Sequence, residues 1–236
     1  MCGRFTLTTN DYHAVAQALE AQMSPEDAHA FRPRFNVAPG DPHWAVAQFG
    51  ATRRLWPARW GLPGPADRPA SRPQGHINAR AETIHTRPAF RSAFEHHRCV
   101  VPADGFFEWT GPKDNRLPIW FHAPHGVLAL AGLFAEHVDA TTGEVQHRFT
   151  LVTTAANALV APTHDRMPVI LAAADIGRWI DPTVSATHLD ALRDLLRPAP
   201  PSWLVATEVS ARVNHVAHDD PACIAPFRHP RQESLF

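Results

Sequence analysis

Three residues of this chain stand out for the chemistry they could do: Cys2, Glu108 and His164. The sequence opens Met1-Cys2-Gly3-Arg4-Phe5. Once Met1 is removed, the Cys2 thiol and a free α-amine share one carbon framework. The amine can condense with an aldehyde to an imine, and the thiolate can then close a five-membered thiazolidine ring. An internal cysteine cannot do this, because its nitrogen is locked in an amide. Reference pKa values of about 8 for the α-amine and about 8.5 for the thiol make both groups usable near neutrality. Gly3 lets the backbone approach a ligand closely, and Arg4 offers a planar fork suited to a phosphate. The plainer alternative is a chance cysteine in a frayed terminus.

Glu108 lies in Pro102-Ala103-Asp104-Gly105-Phe106-Phe107-Glu108-Trp109. In an alternating strand it shares a face with Phe106 and not with its two aromatic neighbours. A carboxylate in aromatic surroundings is desolvated, which raises its pKa and suits it to general acid–base work. The competing reading is an ion-paired strand residue with Arg80 or Arg98 as partner. His164 sits in Thr163-His164-Asp165-Arg166-Met167-Pro168, a loop feeding a strand, where it could shuttle a proton near neutral pH. In a chain with 16 histidines it could equally be incidental. Asn78 and Arg80 follow a glycine-rich loop and complete the candidate set.

The elements that must position these residues come from one chain of 236 residues, long enough for a substantial core. Its 44% hydrophobic and 19% charged residues fit a soluble globular protein. No signal peptide, membrane span, lipoprotein or myristoylation signal is expected. Three cysteines, an odd number, fit a reducing compartment and a cytoplasmic location. Cys99 reads as a packed, inert thiol, and Cys223 has no assignable role. A formal net charge of −1 argues against a broad electrostatic grip on duplex DNA and leaves room for a local basic groove. Most of the histidines read as surface residues.

Along the chain, an apolar stripe of Tyr12, Val15, Ala16 and Leu19 predicts a helix over 10–22. Ser24–Pro33 and Arg34–Gly40 read as irregular. Strands are predicted at Trp44–Phe49, Arg53–Trp60, Cys99–Val101, Gly105–Trp109, Leu117–His122, Val127–Phe134, His147–Thr153, Met167–Leu171 and Trp203–Val209. A polar helix ends near His97, and short helices are predicted at Asn157–Val160, Ala174–Ile180 and Thr187–Leu196, the last opening with a capping box. Gly61–Gly75 and Gly111–Asn115 are loop and turn. No repeat or linker divides the chain, so one α+β domain with a curled, mostly antiparallel sheet is expected.

Taken in order, six pieces resemble the SOS response-associated peptidase family, SRAP. They are Met1–Phe5, Phe35-Asn36-Val37-Ala38-Pro39-Gly40, Trp60-Gly61-Leu62, Ile77-Asn78-Ala79-Arg80-Ala81-Glu82-Thr83, Pro102–Trp109 and Thr163–Pro168. Weaker similarity continues to Val209-Ser210 and Val213-Asn214. The resemblance implies a single compact, barrel-like SRAP domain, over residues 1–228, with peripheral helices and a flexible tail over 229–236. It also implies covalent capture of abasic sites in single-stranded DNA through Cys2, shielding the lesion during replication-coupled repair. Cys2, Asn78, Glu108 and His164 are then the catalytic set: Asn78 holds the α-amine, Glu108 relays protons, and His164 serves the sugar oxygen. Arg4, Arg80 and Arg166 are the DNA-binding residues, engaging phosphates without reading sequence. The same set could release Met1 by self-cleavage. A departure from the family pattern is Pro65, which stands where a base-stacking tryptophan is common.

The terminal Gln232-Glu233-Ser234-Leu235-Phe236 resembles the pentapeptide by which bacterial repair proteins bind the sliding clamp, through Gln232, Leu235 and Phe236. A disordered tail is the alternative. No metal or organic cofactor is expected, no membrane partner, and a monomer located with the nucleoid. The rival classes are an N-terminal-cysteine peptidase acting in trans, a metal protein using His215 and His218 or His96 and His97, and a non-catalytic nucleic-acid module.

Overall fold

Alternation along the long strands decides the architecture. The computed structural model describes residues 2–64, 74–112, 115–138, 143–184 and 189–227. In chain order the strands and helices are β1 (Phe5–Leu7), α1 (Tyr12–Ala18), α2 (Pro25–Ala30), β2 (Arg34–Val37), β3 (Pro42–Phe49), β4 (Thr52–Trp60), β5 (Asn78–Arg80) and α3 (Pro88–His96). They continue as β6 (Arg98–Ala103), β7 (Gly105–Thr110), β8 (Leu117–His122), β9 (Leu128–Val138), β10 (Val145–Ala155), β11 (Arg166–Pro168), β12 (Ile170–Leu171), α4 (Ala173–Ile180), α5 (Leu189–Arg193) and β13 (Val205–Glu208).

Strand β10 pairs with β9 on one edge and with β4 on the other, and β4–β3–β6–β9 complete the ring. Five strands therefore close into a barrel, which removes the open edges of a sheet. The period of two sorts their side chains into two cores. Ala45, Trp60, Val101, Leu130, Phe149 and Leu151 share one cluster, which fills the barrel. Val46, Leu55, Val100 and Leu133 face the other way, where α1, α3 and α4 cover them through Val15, Phe94 and Trp179. A second sheet, ordered β13–β8–β7–β1–β2, joins the barrel-filling core through Phe5, Phe106 and Phe121.

Trp60 ties the two sheets together. It is fully buried, its Nε1–H donates to the Ile77 carbonyl at 2.8 Å, and its ring meets Phe5 edge-on at 4.9 Å between centroids. Losing an aromatic side chain from such a position costs about 3–5 kcal/mol. Gly61 follows with φ 131°, and a Cβ there would lie 1.7 Å from the Gln74 carbonyl oxygen. Only glycine fits that turn.

The strands expected between β3 and β10 are present, β8 with the predicted bounds, whereas β5 at Asn78–Arg80, given no structure from the sequence, is a further strand paired with β10. Several expectations are corrected. Ser24–Pro33 contains α2, started by the Ser24 hydroxyl accepting from Asp27 N–H at 3.1 Å, with Pro25 in the first turn. Arg34–Val37 is a strand because its polar inward residues find partners, as described below. Phe5–Leu7, given no structure from the sequence, is a strand held between β2 and β7. Asn157–Val160 is a turn, in which Asn157 Oδ1 accepts from the Leu159 and Val160 amides. Met167–Leu171 divides at Val169, which donates to the Val152 carbonyl and accepts from Ala131 N–H. It thereby passes from a ladder with β10 to one with β9. Pro65, residues 185–188 at the start of the last predicted helix, and the expected domain boundary and tail beyond 227 lie outside the described residues.

Candidate active site at the amino terminus

Cys2 lies at the junction of the two sheets. Strand β1 runs antiparallel to β7, with Phe5 opposite Phe106, and the Phe107 N–H donates to the Arg4 carbonyl at 3.0 Å. That register sends the chain upstream of Arg4 along Glu108. From the barrel side, β5 pairs Asn78 with Leu151, and Asn78 Nδ2–H donates to the Cys2 carbonyl at 2.7 Å. Cys2 is fully buried, with Sγ 3.6 Å from the Arg4 carbonyl oxygen. Burial pushes its thiol far above the ordinary range, and Glu108 acts in the same direction. Asn78 Oδ1 is buried and has no hydrogen-bond partner among the described residues. With the amide nitrogen committed to Cys2, this oxygen is available to an N–H donor at the same residue.

The alternation expected of β7 is observed. Phe106 stacks on Phe121 in the barrel-filling core, whereas Phe107 packs with Val209, Val213 and Cys223 on the opposite face, beside Trp109. Glu108 is 3% exposed on the Phe106 side. Burial pushes its carboxyl up to about 7, and Asp165 acts in the same direction. A carboxyl raised toward neutrality can give or take a proton there. The ion-pair partners considered for it are engaged elsewhere or turned outward. Arg98 donates to the carbonyls of Phe94, Glu95, Trp179 and Asp181, and Arg80 is exposed.

His164 is carried by the loop between β10 and β11, which Asn157 shapes from within. The His164 N–H donates to the Val160 carbonyl at 3.0 Å, and the Asp165 carbonyl accepts from Ala156 N–H at 2.9 Å. Its Nδ1 accepts from the Arg166 N–H at 3.0 Å, which puts the proton of the neutral ring on Nε2. Asp165 Oδ1 lies 2.9 Å from the same Nδ1, a contact that suits the protonated ring. The two are alternatives. Burial lowers the His164 pKa, which favours the neutral ring and the Arg166 contact.

The three arginines differ in how they are held. Arg4 is half-buried, its guanidinium 6.0 Å from the Trp109 ring centroid, and its Nη1 donates to Asn36 Oδ1 and the Val213 carbonyl, both at 2.8 Å. Arg80 is exposed at the end of β5. Arg166 forks onto Glu82 and donates to the Thr153 carbonyl at 2.6 Å, so its side chain braces β10 against the turn after β5.

A family profile described as SOS response associated peptidase (SRAP) matches residues 1–216. The chain belongs to the SRAP family. The abasic site processing protein YoqW of Bacillus subtilis (strain 168) is 35% identical over 227 residues, 95% of this chain and 99% of YoqW. The abasic site processing protein YedK of Escherichia coli (strain K12) is 32% identical over 192 residues, 78% of this chain and 82% of YedK. A solved structure of a protein from Bacteroides thetaiotaomicron matches with a TM-score of 0.78 at 22% identity, over 96% of this chain and all of that one. At that identity the likeness is one of fold, and it agrees with the α+β barrel expected for an SRAP chain.

Two residues that organise this SRAP site escaped the sequence reading. Asn36 is fully buried beneath Arg4, and Asp219 holds the backbone of β2. The motif Phe35–Gly40 drew attention to Asn36 but not to its role, and nothing in the sequence marked Asp219. Cys223, without a role from sequence, is a buried member of the small core beneath Phe107. Cys99 is buried as expected. His43 departs from the surface reading of the histidines: it is 3% exposed and its Nε2–H donates to the Pro102 carbonyl at 2.8 Å. Among the described residues, no three His, Cys, Asp or Glu side chains are grouped to hold a metal. Among the described residues no helix is long and apolar enough to cross a membrane.

Proposed function

We propose that this protein captures abasic sites in single-stranded DNA by forming a thiazolidine on Cys2 after Met1 has been removed. The observation that carries the reading is the Asn78 hydrogen bond to the Cys2 carbonyl, which fixes that residue beside the buried Glu108 carboxyl. The names of the relatives YoqW and YedK point the same way.

The abasic deoxyribose opens to an aldehyde, and His164 exchanges a proton at the sugar oxygen. The Cys2 α-amine, oriented by Asn78 Oδ1, adds to the aldehyde carbon. Glu108 carries the amine's two protons in turn to the former carbonyl oxygen, the first making the hydroxyl and the second letting it leave as water, which generates the imine. The thiol then adds to the same carbon, its proton passing to the nitrogen, and the ring closes. One water is released in all. Arg4 and Arg80 supply phosphate contacts on either side of the lesion, which position the strand without reading sequence. Arg166 can join them only by exchanging the Glu82 carboxylate for a phosphate.

The crosslink shields the lesion during replication-coupled repair, in the cytoplasm and at the nucleoid. The working unit is a monomeric domain over residues 1–228. Self-release of Met1 by the same residues accounts for the word peptidase in the family's description, and turnover of other peptides is the alternative activity. Gln232, Leu235 and Phe236 recruit the protein to a bacterial sliding clamp, and deleting Leu235 and Phe236 abolishes co-purification with the clamp.

The deciding experiment mixes single-stranded DNA carrying one abasic site with wild type, Cys2→Ala, and a form retaining Met1, followed by denaturing electrophoresis. A shifted band that survives denaturation only with wild type shown by mass to begin at Cys2 supports the reading. No band from such protein, with cleavage of peptides instead, replaces it with the peptidase.

A further inference from the structure

The segment from Val209 to Pro226 crosses back over the amino-terminal strands and holds them. Asn36 is its central partner. The Asn36 amide nitrogen donates to the carbonyls of Val213, His215 and His218 at 3.3, 3.1 and 2.7 Å, while its oxygen accepts from Arg4 at 2.8 Å. Arg4 also donates directly to the Val213 carbonyl. Asp219 closes the other end: its carboxylate accepts from the Phe35 and Asn36 amides at 2.6 and 2.9 Å and pairs with Arg34. Asp219 lies beyond residue 216, where the family profile ends.

One guanidinium nitrogen of Arg4 is thus fixed by a chain segment more than 200 positions away, and its plane rests by Trp109. A free arginine loses side-chain entropy whenever it grips a phosphate. One already held by Asn36 and Val213 has lost it on folding. We propose that Asn36 and Asp219 are positioning residues for DNA: by anchoring the 209–226 strap they hold Arg4 ready for a backbone phosphate two residues from Cys2.

This rests on the abasic-site reading, and the experiment separates the two. Affinity is measured for single-stranded DNA bearing a tetrahydrofuran analogue, which cannot crosslink, across a range of salt concentrations. The rate of crosslinking to a true abasic site at saturating DNA is read alongside. Arg4→Ala is expected to lower affinity about tenfold, the scale of one charge-assisted hydrogen bond. It also flattens the slope of log K against log salt by about 0.7, the share of one phosphate on a single strand. Asn36→Ala reproduces both changes, affinity falls more than the saturated rate does, and adding it to Arg4→Ala changes little further. Asp219→Ala repeats the pattern should Asn36→Ala fail to fold. An Asn36→Ala effect that leaves the salt slope at the wild-type value, or that adds in full to Arg4→Ala, overturns the proposal. Wild type that binds no single-stranded DNA overturns the underlying reading instead.

Discussion

Glu108 and His43 are both ionisable, both 3% exposed, and both packed around the first strand, yet only one is fit for chemistry. Glu108 stands on β7 beside Cys2, where burial lifts its carboxyl from 4.5 to about 7. His43 meets the Phe5 ring edge-on at 4.7 Å, and burial drops its imidazole from 6.5 to about 3. Burial neutralises each group, as it must in a medium that penalises charge. The outcomes differ because the two groups approach neutrality from opposite sides. Glu108 arrives near neutral pH, where a carboxyl can exchange protons. His43 moves away from it and stays neutral, with its Nε2–H donating to the Pro102 carbonyl. A buried titratable residue is a site only when burial brings its pKa toward the pH of the reaction.

The largest effect that could break this contrast is on rate. Glu108→Gln removes the proton relay and slows crosslinking by about 10²-fold or more, the usual yield of general acid–base catalysis. His43→Leu keeps a neutral, apolar ring substitute against Phe5 and changes the rate by less than about threefold. Single-turnover crosslinking followed on denaturing gels measures both. A Glu108→Gln protein as fast as wild type would remove Glu108 from the mechanism. In wild type the rate also depends on pH with an inflection near 7, and that inflection disappears in Glu108→Gln.

Stability sharpens the comparison, because the two groups carry opposite pH slopes. Glu108 has a folded pKa above its unfolded value, so its burial costs nothing below about pH 4.5 and costs most above pH 7. The full difference is on the order of 3 kcal/mol. Glu108→Gln should therefore be more stable than wild type at pH 8 and equal to it at pH 4. His43 has a folded pKa below its unfolded value, so its contribution is intact above pH 6.5 and is lost as pH falls toward 3. That loss is on the order of 4 kcal/mol. His43→Leu should lose less stability between pH 6.5 and 4 than wild type does. Urea denaturation at a series of pH values reads both slopes, and parallel slopes for the two variants would contradict the opposite shifts.

Glu108 was legible in the sequence, because period-two alternation alone separates it from Phe107 and Trp109. The strands of the barrel were legible for the same reason. Its closure came from the family resemblance and not from the pattern, since the parallel contact of β10 with β4 joins Phe149 to Trp60 across a long stretch of sequence that carries no local signal. Strand β2 was hidden by its own buried polar residues. Arg34 and Asn36 face inward, where alternation expects apolar side chains, and their partners Asp41, Asp219 and the 213–218 carbonyls cannot be read locally. Strand β1 has only three residues and owes its form to β2 and β7 on either side. The six-residue α2 did carry a capping serine, a proline and two acidic residues at its start, but no apolar stripe.

The smallest effect concerns His164, which stands between the two cases: partly exposed, with its pKa lowered by burial and held up by Asp165. Its Nδ1 faces two partners that require different protonation states, the Arg166 N–H for the neutral ring and the Asp165 carboxylate for the charged one. Removing the charge with Asp165→Asn withdraws support from the imidazolium alone. The His164 pKa should fall below its wild-type value, and the ring should stay neutral, with its proton on Nε2, to lower pH. Because Asp165 is 86% exposed at its side chain, solvent screens most of the interaction and the change is small. A titration of the His164 ring resonances by NMR in both proteins measures it. A rise on Asp165→Asn would mean that the Arg166 contact, and not the carboxylate, governs which nitrogen carries the proton.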